Sequence, residues 1–207
     1  VDKELIKLLK ASGCKNLVYG IESADEKVFE KISKGEKLTK VEKAIELAKD
    51  EGFKVGAYFV IGLPGATFGS EMKSIQFAVK HKLDFCAFWM AIPYYNTRLY
   101  KWAQENARLL KEPAGENLVN SLNTEPFFET EIFPRGKVKK AFVMAQLRTR
   151  NYKFHEDYED RMISRPRRFL FLCAYMLKYD LRSLGDFIFS GLMKKKERQM
   201  LKSFTYG

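Results

Sequence analysis

Glu22-Ser23 and Gly62-Leu63-Pro64-Gly65 are the places in this chain where residue types and spacing suit chemistry. A carboxylate at the inner end of a buried strand is costly unless it has a partner, which makes Glu22 a candidate binding group. The Ser23 hydroxyl beside it can serve a ligand, the start of the next helix, or both. Gly62 and Gly65 let main chain approach a ligand closely, and Pro64 stiffens the turn. The other reactive residue types carry less. Cys14, Cys86 and Cys173 lie far apart, no pair has metal or redox spacing, and an odd number argues against a disulfide framework. His81 reads as a solvent-facing residue near a helix end, and His155, in Phe154-His155-Glu156-Asp157, as a surface residue of a charged helix. Neither has a metal-binding companion at helical spacing. No Ser-His-Asp or Cys-His set can be placed, so no catalytic residue and no metal ligand is assigned.

The elements that position these residues are legible as alternating patterns. Lys54–Ile61 is an apolar run that ends in the Gly62–Gly65 turn and feeds a helix. It does not alternate polar and apolar residues, as expected of a parallel strand covered on both faces. Asn16–Glu22 and Leu83–Pro93 repeat the strand-to-turn arrangement. Helical stretches separate the three. Ser23-Ala24-Asp25-Glu26 and Thr39-Lys40-Val41-Glu42 read as capping boxes. Val41, Ala44, Ile45 and Ala48 form one apolar helix face, and Met72, Ile75, Ala78 and Val79 another. Leu5, Ile6, Leu8 and Leu9 face one way on a helix before the first strand, and Gly13 and Gly52 sit where helices should stop.

Strands alternating with helices predict right-handed crossovers and parallel strands near 16–22, 55–62 and 84–92, adjacent in that order. Their carboxyl ends then share one edge, where α/β proteins bind ligands. Three strands are few for such a sheet, and the chain starts on a helix without a methionine. Two architectures fit: the second part of a larger barrel, or a small open three-stranded domain closed by its own carboxyl-terminal helices.

The net charge of +11 is uneven. Residues 1–134 hold 19 basic and 19 acidic side chains, whereas 135–207 hold 18 basic and 7 acidic. The expected organisation is therefore an α/β part over 1–111, an irregular connection over 112–134 and a basic helical extension over 135–207. Val138, Ala141, Phe142 and Ala145 have helical spacing, and Pro166 suits the first turn of a further helix. Phe169–Leu177 and Phe187–Met193 are apolar runs, followed by Lys194-Lys195-Lys196. The extension reads as a packed helical cap, as a peripheral surface for an anionic membrane or lipid-like substrate, or as an RNA surface. Its apolar bulk favours lipid over RNA. No signal peptide and no run long enough to span a bilayer are found in the sequence, so the expected location is cytoplasmic, either free or peripheral to a membrane.

Gly20-Ile21-Glu22-Ser23, Gly62-Leu63-Pro64-Gly65-Ala66-Thr67 and Pro93-Tyr94-Tyr95-Asn96-Thr97-Arg98-Leu99-Tyr100, in that order, resemble the second half of a radical S-adenosylmethionine (radical SAM) enzyme barrel. The nearest likeness is to the cobalamin-associated branch, and it covers about residues 1–110. The tail, with Asn151-Tyr152-Lys153 after a long helix, resembles that branch's helical extension more weakly. The resemblance implies a partial (β/α) barrel with these strands as its fourth to sixth. It implies that Glu22 and Ser23 face the ribose or methionine part of SAM, that Ile61, Gly62, Leu63, Pro64 and Gly65 bracket the adenine, and that Ile92 and Pro93 close its far side. The cofactors implied are SAM and a 4Fe-4S cluster in the intact enzyme, with cobalamin as an accessory in that branch. The family's C-x3-C-x2-C motif, which holds the cluster through three thiolates, is absent here and belongs upstream of Val1. Ala24 stands where the branch often has Gly, Ala66 where it has Glu, and Tyr95-Asn96 where it has Pro-Gly.

The expectation is the carboxyl-terminal part of a radical SAM enzyme, methyltransferase or cyclase-like. It would supply SAM-binding strands and a helical substrate or partner region, and depend on a missing amino-terminal half of the barrel. The alternative is a non-enzymatic interaction or scaffold domain from a split gene, binding a partner, a membrane surface or RNA through its basic helices.

Overall fold

Strand β1 (Asn16–Glu22) pairs in parallel with β2 (Lys54–Ile61), and β2 pairs in parallel with β3 (Phe85–Met90). The sheet order is β1-β2-β3, as the three apolar runs predict. The architecture is seen in a computed structural model, which describes residues 1–32, 35–112 and 125–149 together with Ala174 and Leu177. Helix α1 (Lys3–Ala11) precedes β1, α2 (Glu26–Lys31) and α3 (Leu38–Asp50) join β1 to β2, and α4 (Phe68–Lys80) joins β2 to β3. Beyond β3 come α5 (Arg98–Asn106), a two-residue β4 (Arg108–Leu109) paired antiparallel with β5 (Phe128–Glu129), and α6 (Arg135–Arg148). The described part of the connection between 112 and 134 is thus not wholly irregular. Arg108 reaches across the short ladder to Glu129, whose other oxygen accepts the Arg135 N–H at 2.6 Å.

One face of the parallel sheet is covered. Val55, Ala57, Phe59 and Ile61 of β2 and Cys86, Phe88 and Met90 of β3 are buried together with Ile45, Ile75, Ala78 and Ala141. Phe59 stacks on Phe88 with centroids 4.6 Å apart. Helix α6 adds Val138, Ala141 and Ala145 to this same core, so the charge step near Pro134 is not a packing boundary. A second, smaller cluster beyond β3 gathers Ala91, Ala103, Phe127 and Phe128, with Val60, Leu99 and Trp102 against it.

The other face is different. Val18 is 44% exposed, Tyr58 43% and Trp89 54%, one from each strand. The register places Val18 opposite Gly56, Gly56 opposite Phe85, and Val60 opposite Trp89, so these positions share the more exposed side, where the smaller cluster covers Val60. Parallel sheets occur almost only with both faces covered.

Several local expectations are corrected. The first capping box is displaced: Asp25, not Ser23, is the N-cap of α2, accepting the Val28 N–H at 3.2 Å, while Ser23 Oγ accepts the Asp25 N–H at 3.2 Å. The second is absent: α3 begins at Leu38, one residue before Thr39, and its N-cap Lys37 makes no side-chain cap bond. A capping box does form at Thr67 and Ser70, opening α4. Leu5 and Leu8 are exposed, whereas Ile6 is buried in the core and Leu9 packs against it, with α3 as a neighbour of α1. Val79 is also exposed. His81 is not solvent-facing. Its ring is 8% exposed, 3.1 Å from Glu42 of α3 and 4.3 Å from the Phe77 ring, because the carboxyl end of α4 packs onto α3.

The chain divides into two compact units, Val1–Asp157 and Tyr158–Gly207. In the second, Ala174 and Leu177 are described, both helical and exposed. His155, Asn151–Lys153, Pro166, Cys173, Phe187–Met193 and Lys194–Lys196 lie outside the described residues, as does all of Phe169–Leu177 but those two. Among the described residues, no helix is long and apolar enough to cross a membrane.

Candidate binding site at the carboxyl rim of the sheet

The carboxyl ends of all three strands lie on one edge, because both pairings are parallel and keep Glu22 opposite Phe59 and Ile61 opposite Met90. Beyond Ile61 the chain turns through Gly62-Leu63-Pro64-Gly65. Gly62 has φ +88° and Gly65 φ +81°, a left-handed backbone that side chains disfavour. The turn closes with Ala66 N–H donating to Leu63 O at 2.8 Å. On the β3 side, Ala91 N–H donates to Ile61 O at 2.8 Å and carries the ladder to the rim. On the β1 side, Ser74 Oγ of α4 accepts the Ala24 N–H at 2.9 Å, tying the chain beyond β1 to α4 through a buried hydroxyl.

Beside this turn lies a cavity of about 1300 Å³. Ile61 and the whole Gly62–Ala66 turn line it, with Met90 and Ala91 from the end of β3, Trp102 from α5, Phe128 from β5 and Phe133 before α6. Lys31, Arg98 and Arg108 with Glu105, Glu129 and Glu131 put charges of both signs in its lining. Apolar walls, accessible main chain and a few polar groups are the usual make-up of a small-molecule site. Five of the nine sequence-derived binding residues therefore line one cavity: Ile61, Gly62, Leu63, Pro64 and Gly65. Glu22, Ser23, Ile92 and Pro93 share the rim but not the cavity lining. Ser23 and Pro93 are buried, and Ile92 packs against the smaller cluster.

Glu22 has its own distinction. Its φ is +65°, at a point where the β1–β2 register shifts by a bulge between Gly20 and Glu22. A non-glycine residue held there is uncommon, and such outliers cluster at functional sites.

The strongest electrostatic feature was not singled out by pattern. Glu71, in the first turn of α4, is 3% exposed, and its Oε1 accepts the Gly62 N–H at 3.1 Å. Burial pushes its carboxyl up to about 8; the Gly62 N–H pulls the other way and the charge of Asp25 adds to the rise. For Asp25 itself, burial acts upward, but Lys73 at 2.7 Å and the Val28 N–H prevail and hold its carboxyl below the ordinary value. A signal for Glu71 did exist. Positions 71, 75 and 78 share one helix face, so Glu71 stands in line with buried Ile75 and Ala78.

The described cysteines do not fit an iron–sulfur cluster. Cys14 donates its thiol to Asn16 O at 3.3 Å, and Cys86 is buried within β3, where burial foremost pushes its thiol up to about 12. Among the described residues, no group of three His, Cys, Asp or Glu side chains could hold a metal ion.

Comparison with known proteins agrees with this geometry. Residues 1–78 match the family model of the Radical SAM superfamily. An uncharacterized methyltransferase of Pyrococcus horikoshii is 35% identical over 109 residues, 53% of this chain and 24% of the relative. A Methanocaldococcus jannaschii protein provisionally named a methylthiotransferase is 31% identical over 123 residues, 59% of this chain and 26% of the relative. The chain thus spans about a quarter of the length of the curated relatives it matches. Among solved structures, Elp3 of Methanocaldococcus infernus lacking its N-terminal residues superposes over 71% of this chain and 30% of its own, with a TM-score of 0.51 and 18% identity. Its likeness is one of fold. Over residues 1–78, family model and relatives together make this chain similar to the radical SAM superfamily.

Proposed function

We propose that this chain is the carboxyl-terminal portion of a radical SAM enzyme. In this reading it supplies the fourth to sixth strands of a partial barrel, and an amino-terminal half completes the fold. The observation that carries this is the exposed part of one sheet face, with Val18, Tyr58 and Trp89 each more than two-fifths exposed on three parallel strands. Both faces of such a sheet are covered in a stable α/β fold, and a preceding half-barrel would cover this one.

S-adenosylmethionine, when bound at the rim, would supply the group that reacts. This chain's own residues would bind and orient it. Gly62 offers main chain with open space where a side chain would stand, Ile61 and Met90 offer apolar wall, and Glu22 offers a carboxylate for hydroxyl or ammonium groups. Such walls keep water from a reactive intermediate. The cluster ligands belong to the amino-terminal half, since the cysteines described here do not suit them. A methyl- or methylthio-transfer reaction agrees with the names of the two relatives, and cobalamin would be an accessory of the former. The basic carboxyl-terminal extension is proposed to bind substrate, an anionic membrane surface or, with less support, RNA, with the protein cytoplasmic or peripheral to a membrane.

The test is expression of this chain together with the polypeptide encoded immediately upstream, followed by anaerobic assay of SAM cleavage under a strong reductant. Release of 5′-deoxyadenosine or of a demethylated SAM product by the pair, and not by this chain alone, supports the proposal. An upstream sequence without a C-x3-C-x2-C motif, and a pair that leaves SAM intact, would favour the scaffold alternative.

A further inference from the structure

Glu71 is a buried acid that the proposed SAM contacts do not use. It sits on the inward face of α4, directly beneath the turn that walls the cavity. Gly62 lies just beyond Ile61, the last paired residue of β2, so its N–H needs an acceptor outside the ladder. Glu71 Oε1 is that acceptor, at 3.1 Å. The turn is then closed over α4 by the Thr67–Ser70 capping box, in which Thr67 N–H donates to Ser70 Oγ at 2.8 Å and Ser70 N–H to Thr67 Oγ1 at 3.1 Å. The backbone from Gly62 to Ser70 is thus pinned at both ends, once by a carboxyl and once by hydroxyls.

We propose that Glu71 is a positioning residue that fixes the Gly62 amide and, through it, the rim turn that walls the cavity. The proposal deepens the reading of that turn as a ligand wall. The charges set around it decide its protonation. Asp25, at the start of α2, is negative and is paired with Lys73 on Glu71's own helix. Lys140 of α6 lies 5.5 Å from the Phe68 ring centroid at the first residue of α4, and Lys31 of α2 lies alongside Gly65. None of these cations pairs with Glu71. Burial therefore dominates and pushes the carboxyl up to about 8, so the protonated form is favoured at neutral pH. Loss of that proton leaves a buried negative charge without a counter-ion, and the cheapest relief is outward movement of the turn into water. Positioning of the turn is thus linked to a proton: firm at neutral pH, loosened as the pH rises through about 8.

Amide hydrogen exchange of the full chain, read by NMR at Gly62 and corrected for intrinsic exchange chemistry, tests this without any ligand. A failure of the SAM reading would leave it standing or falling by itself. The wild type should lose Gly62 protection with a midpoint near pH 8. Glu71→Gln retains an acceptor and cannot ionise, so its protection should stay flat across the same range. Glu71→Met, which keeps volume and removes the acceptor, should lower protection at all pH values by on the order of tenfold, the equivalent of one ordinary hydrogen bond. Equal protection in wild type and Glu71→Met would overturn the proposal. A pH break in Glu71→Gln matching the wild type would do the same. Should Glu71→Met fail to fold, the comparison of wild type with Glu71→Gln still decides.

Discussion

Glu71 accepts the Gly62 N–H at 3.1 Å from within the core, so the rim turn hangs on an acid of the helix it introduces. Burial raises that acid from 4.5 to about 8. The sign for stability follows from linkage. Below about pH 4.5 both folded and unfolded chains hold the proton; between 4.5 and 8 only the folded chain does; above 8 neither does. Stability should therefore fall as the pH rises across this window, by about 5 kcal/mol if no other group compensates. Denaturant melts from pH 5 to 9 should show this slope in the wild type and a much flatter one in Glu71→Gln. The variant should be the more stable protein at pH 8.

Asp25 offers an independent check on the same site. Its charge contributes to the raised Glu71 carboxyl. Asp25→Asn keeps an N-cap oxygen for the Val28 N–H and removes the charge, so the Glu71 midpoint should move down. An NMR titration of the Glu71 side-chain carbon measures it. An unchanged or raised midpoint would contradict the assigned electrostatics.

The strands were readable because Asn16–Glu22, Lys54–Ile61 and Phe85–Met90 are short apolar runs bounded by turn residues, and burial on a sheet needs little more than that. The caps were less readable. Ser23 and Asp25 are both good N-cap residues two positions apart, and the backbone direction after the Glu22 bulge, not residue type, selects Asp25. At Thr39 the helix had already begun at Leu38. At the rim, Ile61–Gly65 could be placed by chain order alone, since a turn follows its strand. Glu71 could not, since an acidic residue in a first helical turn ordinarily faces water and favours the helix dipole. Its burial depends on α4 rotating the 71, 75 and 78 face onto the sheet.

Gly56 is held by packing rather than by backbone freedom. A Cβ there would lie 2.8 Å from Phe85 Cδ1 and 3.1 Å from Phe85 O. Gly56→Ala should destabilise the chain by about 1–3 kcal/mol through overpacking between β2 and β3. At Gly62 the space is open but φ is +88°, so Gly62→Ala should cost about 1–2 kcal/mol through backbone strain. Chemical denaturation of both variants checks these values.

The basic extension makes a separate prediction from its sequence. Lys194-Lys195-Lys196 follows an apolar run, and each such charge near an anionic surface contributes about 1 kcal/mol. The full chain should co-sediment with phosphatidylserine vesicles at low salt and release as salt rises. Substitution of the three lysines by glutamine should weaken binding clearly. A chain that stays in the supernatant would refute the membrane role, and a shift of single-stranded RNA under the same conditions would favour RNA.

Trp89 reports on the central claim, because it is 54% exposed on the sheet face that an amino-terminal half-barrel would cover. The chain has two tryptophans, so Trp102→Phe leaves Trp89 as the single probe. Acrylamide quenching of this variant should be efficient for the chain alone. It should fall several-fold, with a blue-shifted emission, once the polypeptide encoded immediately upstream is expressed with it. Quenching that stays efficient in a stable complex, or the absence of any complex, would contradict the account.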